Sequence, residues 1–172
     1  MATGIVITGL DSILKQLDVK KFEQDIQLSL NDFGQRVVKK AKELAPTDEG
    51  GWLQQSINTE SGKLSVTIEA NVNYAAYIEF GTRKFAAAYV SSLPADWKTF
   101  AAQFQGPGGG TFAEFIKSIM AWVKRKGIDE ELAYPIALKI LREGIKPQPY
   151  LYPAIKDETP LLLKDLQNLL QP

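Results

Sequence analysis

Between Lys20 and Leu44 one periodicity dominates, and it constrains how the rest of the chain can fold. Phe22, Ile26, Leu30, Phe33, Val37, Ala41 and Leu44 recur at steps of three or four. That spacing places them on one face of a long amphipathic helix. Burying side chains of this size gains about 1.5–3 kcal/mol each before entropy is subtracted. Lys39, Lys40 and Lys42 fall near the C-terminal end, where cations suit the helix dipole. Pro46 then stops the helix. Gly34, inside it, costs about 1 kcal/mol relative to Ala, and a close packing neighbour would account for it.

The segments around this helix supply a small sheet and short helices. Ile5 to Ile7, bounded by Gly4 and Gly9, read as a strand, and Asp11 or Ser12 can cap a short helix through Leu17. Thr47 to Gly51 is a polar loop, and Trp52 to Ile57 is either a helical turn or the start of a strand. Leu64, Val66 and Ile68 alternate with Ser65, Thr67 and Glu69, the period of a half-buried strand. Ser61-Gly62 marks a turn, so Ser56 to Glu60 is predicted to pair with Leu64 to Ala70 as a hairpin. Asn73 can cap a short helix that Gly81 ends in a left-handed conformation. Tyr74, Tyr77, Ile78 and Gly81 share one face of it.

Phe85 to Gly110 is less regular, with Pro94, Pro107 and the run Gly108-Gly109-Gly110. Asp96 can cap a short helix to Phe104. The glycine run lacks the Gly-Lys-Ser/Thr of a phosphate loop and reads as a plain loop. Thr111 caps the next predicted helix, with an apolar stripe of Phe112, Phe115, Ile116, Ile119 and Val123, and Gly127 ends it. Asp129 caps another, in which Leu132, Ile136 and Ile140 align, Pro135 delays or bends the start, and Gly144 ends it. After Pro147 and Pro149 comes an extended stretch, then helical runs interrupted by Pro153 and Pro160. Leu161, Leu162, Leu163, Leu166, Leu169 and Leu170 make the last one strongly apolar, so it must dock on this subunit or on a neighbour.

Composition removes most catalytic chemistries. The 172 residues contain no cysteine and no histidine. Disulfides, thiolate nucleophiles, Ser-His-Asp and Cys-His chemistry are therefore excluded, together with the commonest zinc ligands. Lys plus Arg and Asp plus Glu are both 20, without the basic excess usual in a dedicated nucleic-acid binder. Lys124, Arg125 and Lys126 form a local basic run that reads as a solvated helix end. The N-terminus is too short and polar for a secretory signal, and no run is apolar enough to span a membrane. The expectation is a soluble chain made in a cytoplasm.

Carboxylates are the remaining catalytic option. Asp129, Glu130 and Glu131 are adjacent and point in different directions on a helix, whereas an acid–base pair needs two carboxyls converging across roughly 5–9.5 Å. Asp48 and Glu49 lie in a loop, and no EF-hand spacing is present. Trp52, Tyr74, Tyr77, Phe80 and Phe85 are able to stack on bases, but their spacing suits core or interface packing. No catalytic, cofactor-binding or metal-ligating residue is expected.

Three segments carry a family resemblance. KELAPTDEGGWLQQSI (42–57) ends the long helix, NYAAYIEFGT (73–82) follows the hairpin, and PQPYLYPAI (147–155) precedes the last helix. In this order they resemble the neck and tail-completion proteins of long-tailed bacteriophages. The likeness covers residues 1–85 and 144–172; short members of the family join the second and third segments through a brief loop. Glu49-Gly50-Gly51 departs from a more usual Thr-Gly with a basic residue nearby. The resemblance implies a non-enzymatic virion protein, made in the host cytoplasm, that forms a homo-oligomeric ring of six-fold symmetry. Such a ring joins the head connector to the tail tube and leaves a channel for DNA, without sequence-specific binding. Implied partners are further copies, other neck, connector and tail-tube proteins, and no membrane. The signature positions, also candidates for contacts between subunits, are Tyr74, Tyr77, Glu79, Phe80, Gly81, Thr82, Arg83, Pro149, Tyr150, Leu151 and Pro153.

The predicted class is thus α+β: a small antiparallel sheet packed on a long N-terminal helix, a largely helical insertion at 86–143, and a C-terminal helix. Tyr77 and Ile78 would pin the short helix, and Glu79 would accept bonds from backbone amides or a cation, or pair with Arg83 or Lys84 across a subunit contact. The alternative function is a nucleic-acid-binding or assembly factor encoded with phage structural genes. It requires a basic face formed by Lys39, Lys40, Lys42, Lys124, Arg125 and Lys126.

Overall fold

The computed structural model describes residues 19–47, 50–72, 74–104 and 111–170. The strand expected at Ile5–Ile7, the helix from Asp11 to Leu17, the loop carboxylates Asp48 and Glu49, the Asn73 cap and the Gly108–Gly110 run lie outside these residues.

The long helix, α1, spans Val19–Leu44. Phe33, Val37 and Ala41 are buried as the periodicity requires, and Gly34 and Val38 join them. Leu44 does not: it is 45% exposed, and Ala45, one residue past the helix, is buried in its place. Pro46 disfavours helical backbone at the residue before it, yet the Ala45 amide still donates to the Ala41 carbonyl at 2.8 Å, so Ala45 continues the buried row of Val37 and Ala41. The Gln54 amide donates to the Lys42 and Ala45 carbonyls at 2.9 and 3.3 Å, satisfying acceptors left open at the helix end.

A short helix, α2 (Trp52–Ser56), leads into a hairpin of β1 (Ile57–Gly62) and β2 (Ser65–Ala70). The register pairs Ile57 with Ala70 and Gly62 with Ser65. The turn is Lys63-Leu64, later than the Ser61-Gly62 predicted, and Leu64 takes φ 50° within it. Leu64 thereby leaves the inward-facing row, while Val66 and Ile68 stay against the core. Gln27 holds the tip from α1, accepting from the Leu64 amide at 2.7 Å and donating to the Ser65 carbonyl at 3.2 Å. A Cβ on Gly34 would lie 2.7 Å from Val66 Cγ2 and 2.8 Å from Thr59 Oγ1. This is the close neighbour that the helix-interior glycine called for.

Beyond the hairpin come α3 (Ala75–Phe80), α4 (Arg83–Ser91) and α5 (Ala95–Ala102). Helix α4 occupies sequence read as irregular; its Ala86-Ala87-Ala88 run favours helix but carries no apolar stripe. Next are α6 (Phe112–Arg125), a 3₁₀ turn at Glu130–Leu132, and α7 (Ala133–Glu143). Thr111 caps α6 in a full capping box with Glu114. The Asp129 side chain caps the 3₁₀ turn by accepting from the Glu131 amide at 3.1 Å. The buried positions of α7 are Ala133 and Ala137, while Leu132 is exposed. The 3₁₀ turn shifts the phase, so the stripe anticipated from Leu132 begins one residue later.

The C-terminal helix, α8 (Leu151–Leu169), is unbroken and contains Pro160. Pro153 sits in its first turn, where a missing N–H costs nothing. Pro160 removes the bond to the Lys156 carbonyl, but both residues are exposed, so water can satisfy that oxygen. Helix α8 packs antiparallel on α1, the largest interface between elements. Arg36 pairs with Glu158 at 3.1 Å and Asp165 at 3.2 Å, and Lys40 with Asp157 at 2.8 Å. The core sits between α1, α8 and the hairpin, and its largest fully buried side chains are Tyr150, Leu53, Ile57 and Val37. Among the described residues no helix is long and apolar enough to cross a membrane.

Candidate functional site

Two of the three segments singled out by sequence meet in space. Glu79, on α3, is 2% exposed. Its Oε2 accepts from the Tyr150 and Leu151 amides, both at 2.8 Å, and its Oε1 accepts from the Tyr152 amide at 3.0 Å. Helix α8 begins at Leu151, so these amides have no acceptor within the helix. The next residue, Pro153, has no N–H to leave unpaired. A single carboxylate thus satisfies the whole N-terminal turn, at the end where the helix dipole favours negative charge.

Burial pushes the Glu79 carboxyl above its ordinary range, against the downward pull of the three amides. Burial also raises two phenols that feel the Glu79 charge: Tyr89 is pushed up to about 12, and Tyr150 moves in the same direction. No cation is paired with Glu79 among the described residues. Lys84 instead lies 3.8 Å from Glu143. Amides and phenols around one carboxylate make a structural staple; among the described residues no second carboxyl converges on it as an acid–base pair would require.

Immediately after Glu79 the chain passes through a narrow crossing. The Thr82 amide donates to the Ile145 carbonyl at 2.9 Å, and the Ile145 amide donates to Thr82 Oγ1 at 2.7 Å. The Gln148 amide donates to the Ile78 carbonyl at 2.8 Å. Gly81 has φ 71° and ψ −165°, and Gly144 has φ 91° and ψ −177°. Both occupy a region that only glycine enters readily; Gly81 is not in the left-handed helical conformation anticipated for it. A Cβ on Gly81 would lie 2.7 Å from the Ile145 carbonyl oxygen, and one on Gly144 would strike the Thr82 carbonyl. The two strands of the crossing approach closely because neither glycine has a side chain.

The other signature residues divide among three surroundings. Tyr74 and Ile78 pack against the core, Ala75 is buried in it, and Tyr77 is half-buried. Phe80 turns away from that core into an aromatic cluster with Phe104 at 5.9 Å, Phe100 at 6.1 Å and Trp97 at 6.2 Å. Trp97 in turn meets Tyr152 edge-on at 5.0 Å. Arg83 is exposed with φ 52°, an uncommon backbone conformation for a residue with a side chain. Pro149 and Pro153 are half-buried on either side of Tyr150 and Leu151, which are buried. Sequence reasoning gave no role to Gln148 or Trp97. Gly144 was legible only as a helix stop; its role as the counterpart of Gly81 depends on a partner far away in sequence. Among the described residues no cluster of acidic side chains is placed to hold a metal ion.

Residues 8–81 match the model of the HK97-gp10_like family, described as "Bacteriophage HK97-gp10, putative tail-component". Over this segment the chain is similar to that phage family. The assignment is consistent with the tailed-phage neck and tail-completion likeness, and supports a tail-related structural role and a place in the virion. The HK97-gp10-like match covers less than half of the chain and ends at Gly81, where the crossing begins. Comparison with curated proteins and with solved structures gave no match.

Proposed function

We propose that this protein is a structural subunit of a phage neck, closing with further copies into a ring, of six-fold symmetry, that joins the head connector to the tail and leaves a DNA channel. The family match over residues 8–81 carries the reading. The Glu79 staple extends it to the end of the chain, because a carboxylate inside the matched segment caps the helix that follows PQPYLYPAI. Residues 86–143 are an insertion in this body: the chain leaves after Gly81-Thr82 and returns at Gly144-Ile145, two points joined by hydrogen bonds. Its partners are copies of itself and the adjoining connector and tail proteins, and the role is non-enzymatic. Native mass spectrometry of the purified chain should give a closed oligomer, and imaging of virions should place it at the head–tail junction. A chain missing from assembled particles would refute the proposal. The nucleic-acid alternative has less support, because Lys40, part of its required basic face, is engaged with Asp157 on α8.

A further inference from the structure

We propose that the basic cluster at the crossing, formed by Arg83, Lys84, Lys139, Arg142 and Lys146, holds the sugar–phosphate backbone of duplex DNA. The proposal rests on the ring reading above, which passes DNA through the assembly, and it names the surface that meets that DNA. Three stretches of chain bring the cations together. Lys84 stands in the first turn of α4, Lys139 and Arg142 lie three residues apart on one side of α7, and Lys146 directly follows Ile145 in the crossing. The Lys84 ammonium lies 5.1 Å and that of Lys146 5.9 Å from the centre of the Phe85 ring, so one half-buried ring gathers both. Lys84 and Arg142 meet on Glu143, at 3.8 and 3.3 Å. The Arg142 hydrogen bond, then the charges of Lys84 and Lys139, hold the Glu143 carboxyl below its ordinary range. All five cations are exposed, the Lys84 and Arg142 side chains by 62% and 79%.

Glu143 neutralises one of these charges, and among the described residues no other carboxylate is paired with any of them. The positive sign does not depend on the segments outside the described residues, whose carboxylates are Asp11, Asp18, Asp48 and Glu49. Asp11 and Asp18 precede Val19, where α1 starts, whereas the Lys40–Asp157 pair sets the other end of α1 beside the start of α8 and the crossing. About 35 Å of helix separates the two ends, and the chain from Val19 back to Asp11 spans at most about 28 Å. Setting both Asp48 and Glu49 against the cluster still leaves five cations to three carboxylates. A duplex carries one negative charge per roughly 1.7 Å of its axis, and each phosphate met by Lys or Arg releases counterions. Such contacts fix position without reading sequence, which suits DNA that has to slide through a ring. Arg83 takes φ 52°, and backbone conformations this uncommon gather where ligands are clamped.

The test is fluorescence anisotropy of a labelled duplex of about 30 base pairs and arbitrary sequence, titrated with the full chain at about 50 and about 200 mM salt. The wild type should bind, with an affinity that falls steeply as salt rises. K139Q/R142Q should lower the slope of log K against log salt by about two. K139E/R142E should keep wild-type circular dichroism and weaken binding at the lower salt at least about tenfold; should it misfold, the glutamine pair decides. R125Q/K126Q should bind as the wild type does, and a loss there in place of the α7 variants moves the DNA contact to α6 and overturns the proposal. A closed oligomer that binds no duplex, or folded K139E/R142E that binds normally, overturns it too and leaves the ring reading standing. Loss of assembly in K139E/R142E with DNA binding unchanged assigns the cluster to a subunit contact and overturns it as well. A chain that binds duplex through Lys139 and Arg142, yet stays monomeric at every concentration in native mass spectrometry, keeps the contact and sinks the ring.

Discussion

The body built from α1, the hairpin, α3 and α8 and the helical segment from Arg83 to Glu143 are stabilised in different ways. The body buries large side chains completely, Val37, Leu53, Ile57 and Tyr150 among them, and ties α1 to α8 through Arg36 and Lys40. In the helical segment the buried set is Leu93, Val123, Ala133 and Ala137, while Phe112, Met120, Trp122, Leu132, Tyr134 and Leu138 remain exposed. Its helices depend more on their ends, through the Thr111–Glu114 box and the Asp129 cap. Among the described residues it is joined to the body by the Thr82–Ile145 crossing, by the aromatic cluster that Phe80 enters from α3, and by Lys146, which lies 5.9 Å over the Phe85 ring. A region with fewer buried contacts opens at lower free energy. The contrast marks the body as the framework and the segment as the region that should open first.

The most damaging substitution should fall on the link itself. Gly81→Ala forces a side chain into a glycine-only conformation and against the Ile145 carbonyl, at a cost of about 3–5 kcal/mol. Urea unfolding followed by circular dichroism measures it, and a loss below 1 kcal/mol would show that the crossing relaxes. Next comes Glu79→Ala, which orphans three amides, two of them in buried bonds and one in a part-buried bond, and should cost about 3 kcal/mol. Glu79→Gln keeps one acceptor oxygen and should lose about half as much. Hydrogen exchange at Tyr150, Leu151 and Tyr152 should accelerate in both variants.

The comparison can then be tested from inside each region. Val37 and Val123 are both fully buried, and truncating either to Ala should cost about 2 kcal/mol locally. Native-state hydrogen exchange should show V37A weakening protection throughout the chain. V123A should weaken α6 and α7 while leaving α1 protected; equal spread from both variants would erase the distinction. Arg36→Ala removes two partly exposed ion pairs and should cost about 1 kcal/mol or less.

The smallest effect appears only in alkali. Tyr89 and Tyr150 have folded-state pKa values above the ordinary phenol value of about 10. Folding favours their neutral forms, so this stabilisation is complete below pH 10 and is lost as pH rises through the raised values. Ultraviolet titration should show two of the six tyrosines ionising late, one of them near pH 12. If all six titrate together near pH 10 in folded protein, these phenols are not shielded.

Local rules account for what could be read in advance. Helix α1 follows from the apolar spacing between Phe22 and Ala41, its stop from Pro46, and the start of α6 from Thr111 and Glu114 three residues apart. In each case cause and effect lie within about one helical turn, so sequence order carries the signal. The hairpin was legible in its alternation and misjudged at its turn, because Leu64 accepts a positive φ that its type disfavours.

Tertiary contacts decided the rest. Pro160 looked like a break, yet α8 runs through it because the lost bond lies on the exposed side and α1 holds the other. Ala45 is buried and Leu44 is not, because the row of Val37 and Ala41 that meets the core runs on to Ala45. Above all, the sequence by itself determined that Glu79 stands in a short helix beside Gly81, and that an apolar helix follows Pro149. Only the folded chain joined them, because the partners of Glu79 are backbone amides, which every residue but proline possesses and no side chain announces.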